Sequence, residues 1–197
     1  MIPLLLAVTS CLFANADPIQ IEERSFEMLI SPEEIEQKII RVGQQIDIEY
    51  AGKELAIVMI MKGSVCLAAD LIRHIHVPCT LESVRAQSYG LRGEKRGDLT
   101  ISGVDNADIA GKDVLLIDDI FDTGNTLTQV SARLNELGPK SLKTLVLLVK
   151  NVPHVTPKLP DYVLFDIEDR FVIGYGLDYK EMYRGLPGIY VFSEGGS

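Results

Sequence analysis

The sequence is short of cations, cysteine and histidine, and it has no long apolar run. Lys and Arg number 19 against 28 Asp and Glu, a formal net charge of −9 over 197 residues. Sequence-independent binding of a nucleic-acid backbone needs a basic face, so this balance counts against a nucleic-acid partner. An acidic chain that handles an anionic ligand needs cations placed locally, or a metal ion. Cys11, Cys66 and Cys79 are odd in number and lack metal-site spacing. That argues against a disulfide framework and leaves Cys66 and Cys79 as buried free thiols. His74, His76 and His154 show no ligand spacing and read as surface or packing residues. No internal repeat, low-complexity tract or interdomain linker is present. No apolar run reaches the about 20 residues that span a bilayer, so no membrane partner is expected.

The N-terminus, MIPLLLAVTSCLFANADP, is the ambiguous stretch. It has an apolar segment, an Ala-Asn-Ala that resembles a cleavage site, and a VTSC that loosely resembles a lipoprotein acylation site. It lacks the Lys or Arg that precedes the apolar core of a secretory signal. A cytoplasmic protein is therefore expected, with export as the minority alternative. Residues 1–25 are read as an apolar extension, a signal peptide or a start set too early, ahead of one domain over 26–197.

What is present is the make-up of a globular domain: 47% hydrophobic and 24% charged residues. SPEEIEQKIIRVGQQI carries helix start signals, with Ser31 as cap, Pro32 at the first helical position and Glu34 completing a capping box. Ile35, Ile39, Val42 and Ile46 form its buried stripe. Strands are predicted over 54–61, 80–89, 112–118 and 142–150, and helices over 64–75 and 125–138. The glycine-rich, charged segment 90–103 reads as a mobile loop or hairpin. DYVLFDI, FVIGYGL and GIYVF supply short strands or extended pieces. Strands alternating with helices imply an α/β fold with a mainly parallel sheet, whose ligands bind beyond the carboxyl ends of the strands.

Those ends carry the chemistry. In VLLIDDIFDTGNTLTQV a buried run leads into Asp118, Asp119 and Asp122, then Thr-Gly-Asn-Thr at a helix start. Unpaired N–H groups and the helix dipole there make a phosphate site, with Gly124 allowing close approach and Thr123 and Thr126 adding hydroxyls. A plain Asp or Thr cap explains Asp122 or Thr123, but not Asp118 and Asp119. A strand-end acid pair can grip sugar hydroxyls or hold Mg²⁺. Together they suggest a ligand bearing both a ribose and a phosphate.

VLLIDDIFDTGNT resembles the phosphoribosyl-pyrophosphate signature of type I phosphoribosyltransferases, in the form found in the hypoxanthine-guanine branch. MKGS, the Ser-Tyr opening the glycine-rich segment, LLVK and DRFVIGYGLDYKEMYR resemble that family's pyrophosphate loop, lid, purine strand and C-terminal segment, in order. The resemblance covers about 26–192. It departs in having Asp118 where the family usually has Glu, and Asn125 where some members have Lys.

The resemblance implies a type I phosphoribosyltransferase fold, a mainly parallel sheet flanked by helices with a small hood built from the terminal segments. It implies Mg²⁺-dependent transfer of ribose 5-phosphate from phosphoribosyl pyrophosphate to N9 of a 6-oxopurine. Asp118 and Asp119 would hold the ribose hydroxyls. Asp122 would be the general acid/base, and Asp122, Thr123, Gly124, Asn125 and Thr126 would bind the 5′-phosphate. Lys62, Gly63 and Arg184 would bind pyrophosphate, with Lys62 following a peptide that is cis in some relatives. Ser88 and Tyr89 would form the lid. Lys150, Phe171 and Val172 would bind the purine, and Asp178 the Mg²⁺. A homodimer or homotetramer is the implied assembly.

Three rivals fare worse. A regulator of the same fold needs a nucleic-acid surface that the charge does not supply. A receiver-type phosphotransfer domain spreads its acids over two strand ends, whereas here they share one loop. A P-loop NTPase needs G-x-x-x-x-G-K-[ST], which is missing.

Overall fold

The protein is described by a computed structural model covering residues 18–22, 24–88 and 99–193. Its larger layer is a six-stranded sheet. In chain order the strands are β3 (Leu55–Met61), β4 (Cys79–Ser88), β5 (Leu99–Ser102), β6 (Asp113–Phe121), β7 (Ser141–Lys150) and β8 (Tyr162–Ile167), arranged β5-β4-β3-β6-β7-β8. All neighbours pair in parallel except β5, which runs antiparallel to β4. β5 thus runs back along β4, and residues 89–98, most of the glycine-rich segment expected to be a mobile loop or hairpin, lie outside the described residues.

The helices are α1 (Pro32–Glu49), α2 (Val65–His74) and α3 (Asn125–Asn135). Alternate residues of the central strands serve opposite faces. Leu55, Ile57, Leu115, Ile117, Leu145 and Leu147 join Ile35, Ile39 and Ile46 of α1 and Leu67 and Leu71 of α2 in one cluster. Ala56, Val58, Val114, Leu116 and Val146 join Leu127, Val130 and Leu134 of α3 in another. Covering both faces is what lets these strands be continuously apolar.

A second sheet makes the hood. It joins β1 (Ile19–Ile21), β2 (Arg24–Ile30), β10 (Ile189–Phe192) and β9 (Val172–Ile173), antiparallel throughout. Ile21, Phe26, Ile173 and Tyr190 form its own small core. Ile30, Val172, Ile189 and Val191 face the main core and tie the hood down.

Beyond shifts of one residue at element ends, three features differ from the sequence reading. β6 continues three residues past Asp118, the end expected from the sequence, so Asp119 lies within it too and the three acids do not share one loop. α3 stops at Asn135, before Gly138. β2 was not anticipated, although its buried residues Phe26 and Ile30 frame an alternating pattern. Cys66 and Cys79 are free but only half-buried. No helix among the described residues is long and apolar enough to cross a membrane.

The capping box of α1 forms as expected. Glu34 N–H donates to Ser31 Oγ at 3.2 Å, and Ser31 N–H donates back to Glu34 Oε2 at 2.9 Å. Loss of such a cap costs about 1 kcal/mol. Ser31→Ala should lower the urea midpoint by a corresponding amount with an unchanged m-value. An unchanged midpoint would show that the box contributes nothing to folding.

Candidate active site

The ends of β3 and β6 meet the segment that follows β9, where glycines let them close up, and the end of β7 lies beside that of β6. After β3 the Met61–Lys62 peptide is cis. Gly63 and Ser64 are buried, and Ser64 Oγ donates to the Ile60 carbonyl at 2.7 Å. A Cβ at Gly63 would overlap the Asp119 carboxylate, and a Cβ at Gly176 would overlap the Gly63 carbonyl. Gly176 also has φ +102°, a region that suits glycine. Three chain segments are thus stacked in the order Asp119, Gly63, Gly176.

Asp118 is 5% exposed and Asp119 is partly buried. Asp119 N–H donates to Asp118 Oδ1 at 3.0 Å, and Ile120 N–H donates to Asp119 Oδ1 at 2.9 Å. Burial, reinforced by the neighbouring Asp119 carboxylate, holds the Asp118 carboxyl well above the usual range. Burial also raises Asp119, against the pull of its backbone donors and of Arg184.

Beyond β6 the chain turns sharply. Asp122 and Thr123 are exposed, while Gly124 is buried with φ +85° and forms the N-cap of α3. A Cβ at Gly124 would lie 2.6 Å from the Phe121 ring. No side chain caps this helix, so neither Asp122 nor Thr123 plays the plain capping role. The N–H groups of its first turn remain available to an anion. Asn125 is tied to Gln129 at 2.8 Å, and Thr126 is partly exposed beside it.

Lys150 ends β7 with its ammonium 3.0 Å from Asp169. Phe171 is 48% exposed and meets Tyr179 edge-on, so it is not a core residue. Val172 pairs with Val191 on one side only, because β9 is the edge of the hood. The following turns put Tyr175, Lys180, Glu181 and Tyr183 at positive φ. Tyr175 Oη anchors them by donating to Asp70 Oδ2 at 2.6 Å.

Arg184 is the hub of this segment. It donates to the Gly176 carbonyl at 2.7 Å and pairs with Asp178 at 2.7 Å and Glu181 at 3.3 Å. Lys62 reaches the same Glu181 at 2.6 Å. Asp178 also accepts from Glu181 N–H at 2.9 Å. Ser88 ends β4, with its backbone opposite Leu99, and Tyr89 lies outside the described residues.

The structure therefore brings together the ends of β3, β6 and β7 and the Phe171–Arg184 segment. Sequence reasoning missed Glu181, Asp169, Tyr175 and Asp70. Each is defined by a partner in another segment, and no local pattern announces it. His154 stacks edge-on against Phe121 with ring centroids 4.8 Å apart, a packing role.

Comparison with known proteins agrees with this architecture. Residues 27–180 match the phosphoribosyl transferase domain family. The hypoxanthine phosphoribosyltransferase of Salmonella typhimurium is 38% identical over 167 residues, covering 84% of this chain and 94% of that protein. The hypoxanthine-guanine phosphoribosyltransferase of Dictyostelium discoideum is 41% identical, with 83% and 93% covered. A crystal structure of a hypoxanthine phosphoribosyltransferase from Staphylococcus aureus superposes with TM-score 0.78 at 36% identity, covering 85% of this chain and 91% of that one. The fold and the domain match define a type I phosphoribosyltransferase. Within that class, the chain belongs to the hypoxanthine(-guanine) phosphoribosyltransferases.

The buried acid pair has a measurable consequence. A carboxyl whose folded pKa is raised contributes stability below its unfolded pKa, about 3.9, and loses it as pH rises through the folded value. Both acids are shifted upward, so the native protein should lose stability as pH rises from about 4 towards neutrality on their account. Asp118→Asn should raise the melting temperature at pH 7–8, with the gain vanishing near pH 4. A gain of equal size at both pH values would show that ionisation of the pair is not what it costs to bury.

Proposed function

We propose that the protein transfers ribose 5-phosphate from phosphoribosyl pyrophosphate to N9 of hypoxanthine or guanine, releasing pyrophosphate and IMP or GMP. The observation that carries this reading is the stacking of Asp119, Gly63 and Gly176 beside the uncapped start of α3. This arrangement supports the reading because the acids proposed for the sugar and the turn proposed for pyrophosphate lie in contact, and the strand that carries the acids leads into the turn proposed for the phosphate. The names of the relatives support the substrate class.

In this reading the C1′–O bond to pyrophosphate breaks, the C1′–N9 bond forms, and the purine gives up a proton. Asp118 and Asp119 accept hydrogen bonds from the ribose hydroxyls. The amides and hydroxyls of Thr123 to Thr126 bind the 5′-phosphate, with Gly124 keeping the backbone close. Asp122, exposed at the mouth of this turn, serves N7 of the base as general acid/base. Lys150 donates to O6. An ammonium has three donors, so Lys150 can hold Asp169 and the purine together. An amino group at the same position would not accept this bond, which disfavours adenine. Phe171 offers a ring face to the base, and Val172 offers the unpaired edge of β9.

Lys62, the Gly63 backbone and Arg184 face the pyrophosphate, and Ser88 and Tyr89 close over it. Among the described residues no group of three or more His, Cys, Asp or Glu is arranged to hold a metal ion. Asp178, a single partly exposed carboxylate, fits Mg²⁺ in its usual mode with substrate phosphates, which needs only one or two protein carboxylates. Mg²⁺ would neutralise charge on the pyrophosphate oxygens, with Asp178 as the residue that holds it. The free thiols Cys66 and Cys79 suit a reducing compartment, and cytoplasmic salvage is part of the proposal.

The test is to supply Mg²⁺ and phosphoribosyl pyrophosphate with hypoxanthine, guanine, xanthine or adenine, and to measure the nucleotide formed. Hypoxanthine and guanine should be converted and adenine should not. No product from any oxopurine would refute the reading. Asp122→Ala should lower turnover by about 10²–10⁴, the range of a general acid/base, with little change in melting temperature. Near-normal turnover in that variant would remove Asp122 from the role.

A further inference from the structure

Glu181 was not anticipated from the sequence, and the proposed chemistry gives it no task. Yet its carboxylate takes both cations assigned to pyrophosphate. Oε2 lies 2.6 Å from Lys62 Nζ and 3.3 Å from Arg184 Nη2. Its backbone is at φ +64°, next to Lys180 at φ +52°, a region that residues with side chains seldom adopt. The bond from Glu181 N–H to Asp178 holds this turn in place. The carboxylate is therefore aimed at the two cations by a constrained backbone.

The pairing is also easily broken. The Glu181 side chain is 66% exposed and that of Lys62 45%. Exposed ion pairs are weak, so an anion of higher charge can displace them. Arg184 would stay oriented after such an exchange, because its bonds to the Gly176 carbonyl and to Asp178 do not involve Glu181.

We propose that Glu181 sets the affinity for pyrophosphate and for the pyrophosphate end of phosphoribosyl pyrophosphate, by competing with their oxygens for Lys62 and Arg184. The inference rests on the function proposed above. The displaced carboxylate would remain close to the bound anion and repel it. Glu181 would thus weaken substrate binding and speed product departure together. Bound pyrophosphate is expected to return the cations to Glu181 as it leaves.

The measurement is calorimetric titration of inorganic pyrophosphate, with Mg²⁺, into the wild-type protein and into Glu181→Gln and Glu181→Ala. It is paired with KM values for phosphoribosyl pyrophosphate and hypoxanthine. Two pairs that share the exposed Glu181 carboxylate, each contributing less than about a factor of five, predict pyrophosphate binding about three- to tenfold tighter in both variants. The KM for phosphoribosyl pyrophosphate should fall in parallel, and the KM for hypoxanthine should not move. Equal pyrophosphate affinity in variants and wild type would overturn the inference. Weaker binding would also overturn it, because Glu181 would then be positioning the cations rather than competing for them. A wild-type protein that makes no nucleotide would instead refute the parent function. An active wild type with unaltered variants would refute the role of Glu181 alone.

Discussion

The site depends on one close approach: the Asp119 carboxylate lies where a Gly63 side chain would be, and the Gly63 carbonyl lies where a Gly176 side chain would be. Two missing Cβ atoms let the ends of β3 and β6 and the hood-side segment converge within van der Waals contact. Other site residues are positioned by reference to that stack. Gly63 leads through Ser64 into α2, Asp119 leads through Phe121 to the α3 turn, and Gly176 carries Asp178 and Arg184 two and eight residues further on. A side chain at either glycine would separate acids, anion loop and cations at once.

The same stack bears on how so acidic a protein could face the anionic ligand proposed for it. Asp118 and Asp119 are withdrawn into a strand, where burial holds back their ionisation. In the proposed function the phosphates would meet backbone amides at the uncapped start of α3, and the cations Lys62 and Arg184. Net charge says little about such a site, because amides and cations at hydrogen-bonding range outweigh distant, screened charges, and the acids that do lie close, Asp178 and Glu181, are paired with those cations.

Much of this was legible in the sequence. The apolar runs Leu55–Met61 and Ser141–Lys150 and the capping box at Ser31 follow local rules, and the strand-end principle then pointed to Lys62, Asp118 to Thr126 and Lys150. What stayed hidden depends on distant partners. The extension of β6 past Asp118 through Asp119 to Phe121 contradicts local propensity, since two adjacent acids rarely continue a buried strand. It is tolerated because neighbours shield them and backbone N–H groups bond them. The hood pairs residues near 26 with residues near 191, and no local pattern encodes that register. Glu181 and Asp169 are ordinary surface acids in the sequence and acquire meaning only from Lys62, Arg184 and Lys150.

The alternating faces of the central strands have a further consequence. The side toward α1 and α2 is filled with Leu and Ile at 55, 57, 115, 117, 145 and 147, whereas the side toward α3 receives the smaller Ala56, Val58, Val114 and Val146, with Leu116 as the one long side chain among these positions. Both sides are apolar, so polarity alone would permit a strand to slip by one residue. Bulk does not: a slip would press long side chains against α3 and leave voids beneath α1 and α2. The difference in girth between the two layers acts as a key that locks each strand lengthwise. Because Lys62 and Lys150 sit just beyond or at the ends of those strands, and Asp118 lies within β6, the sizes of the buried side chains determine where the charges of the site come to rest.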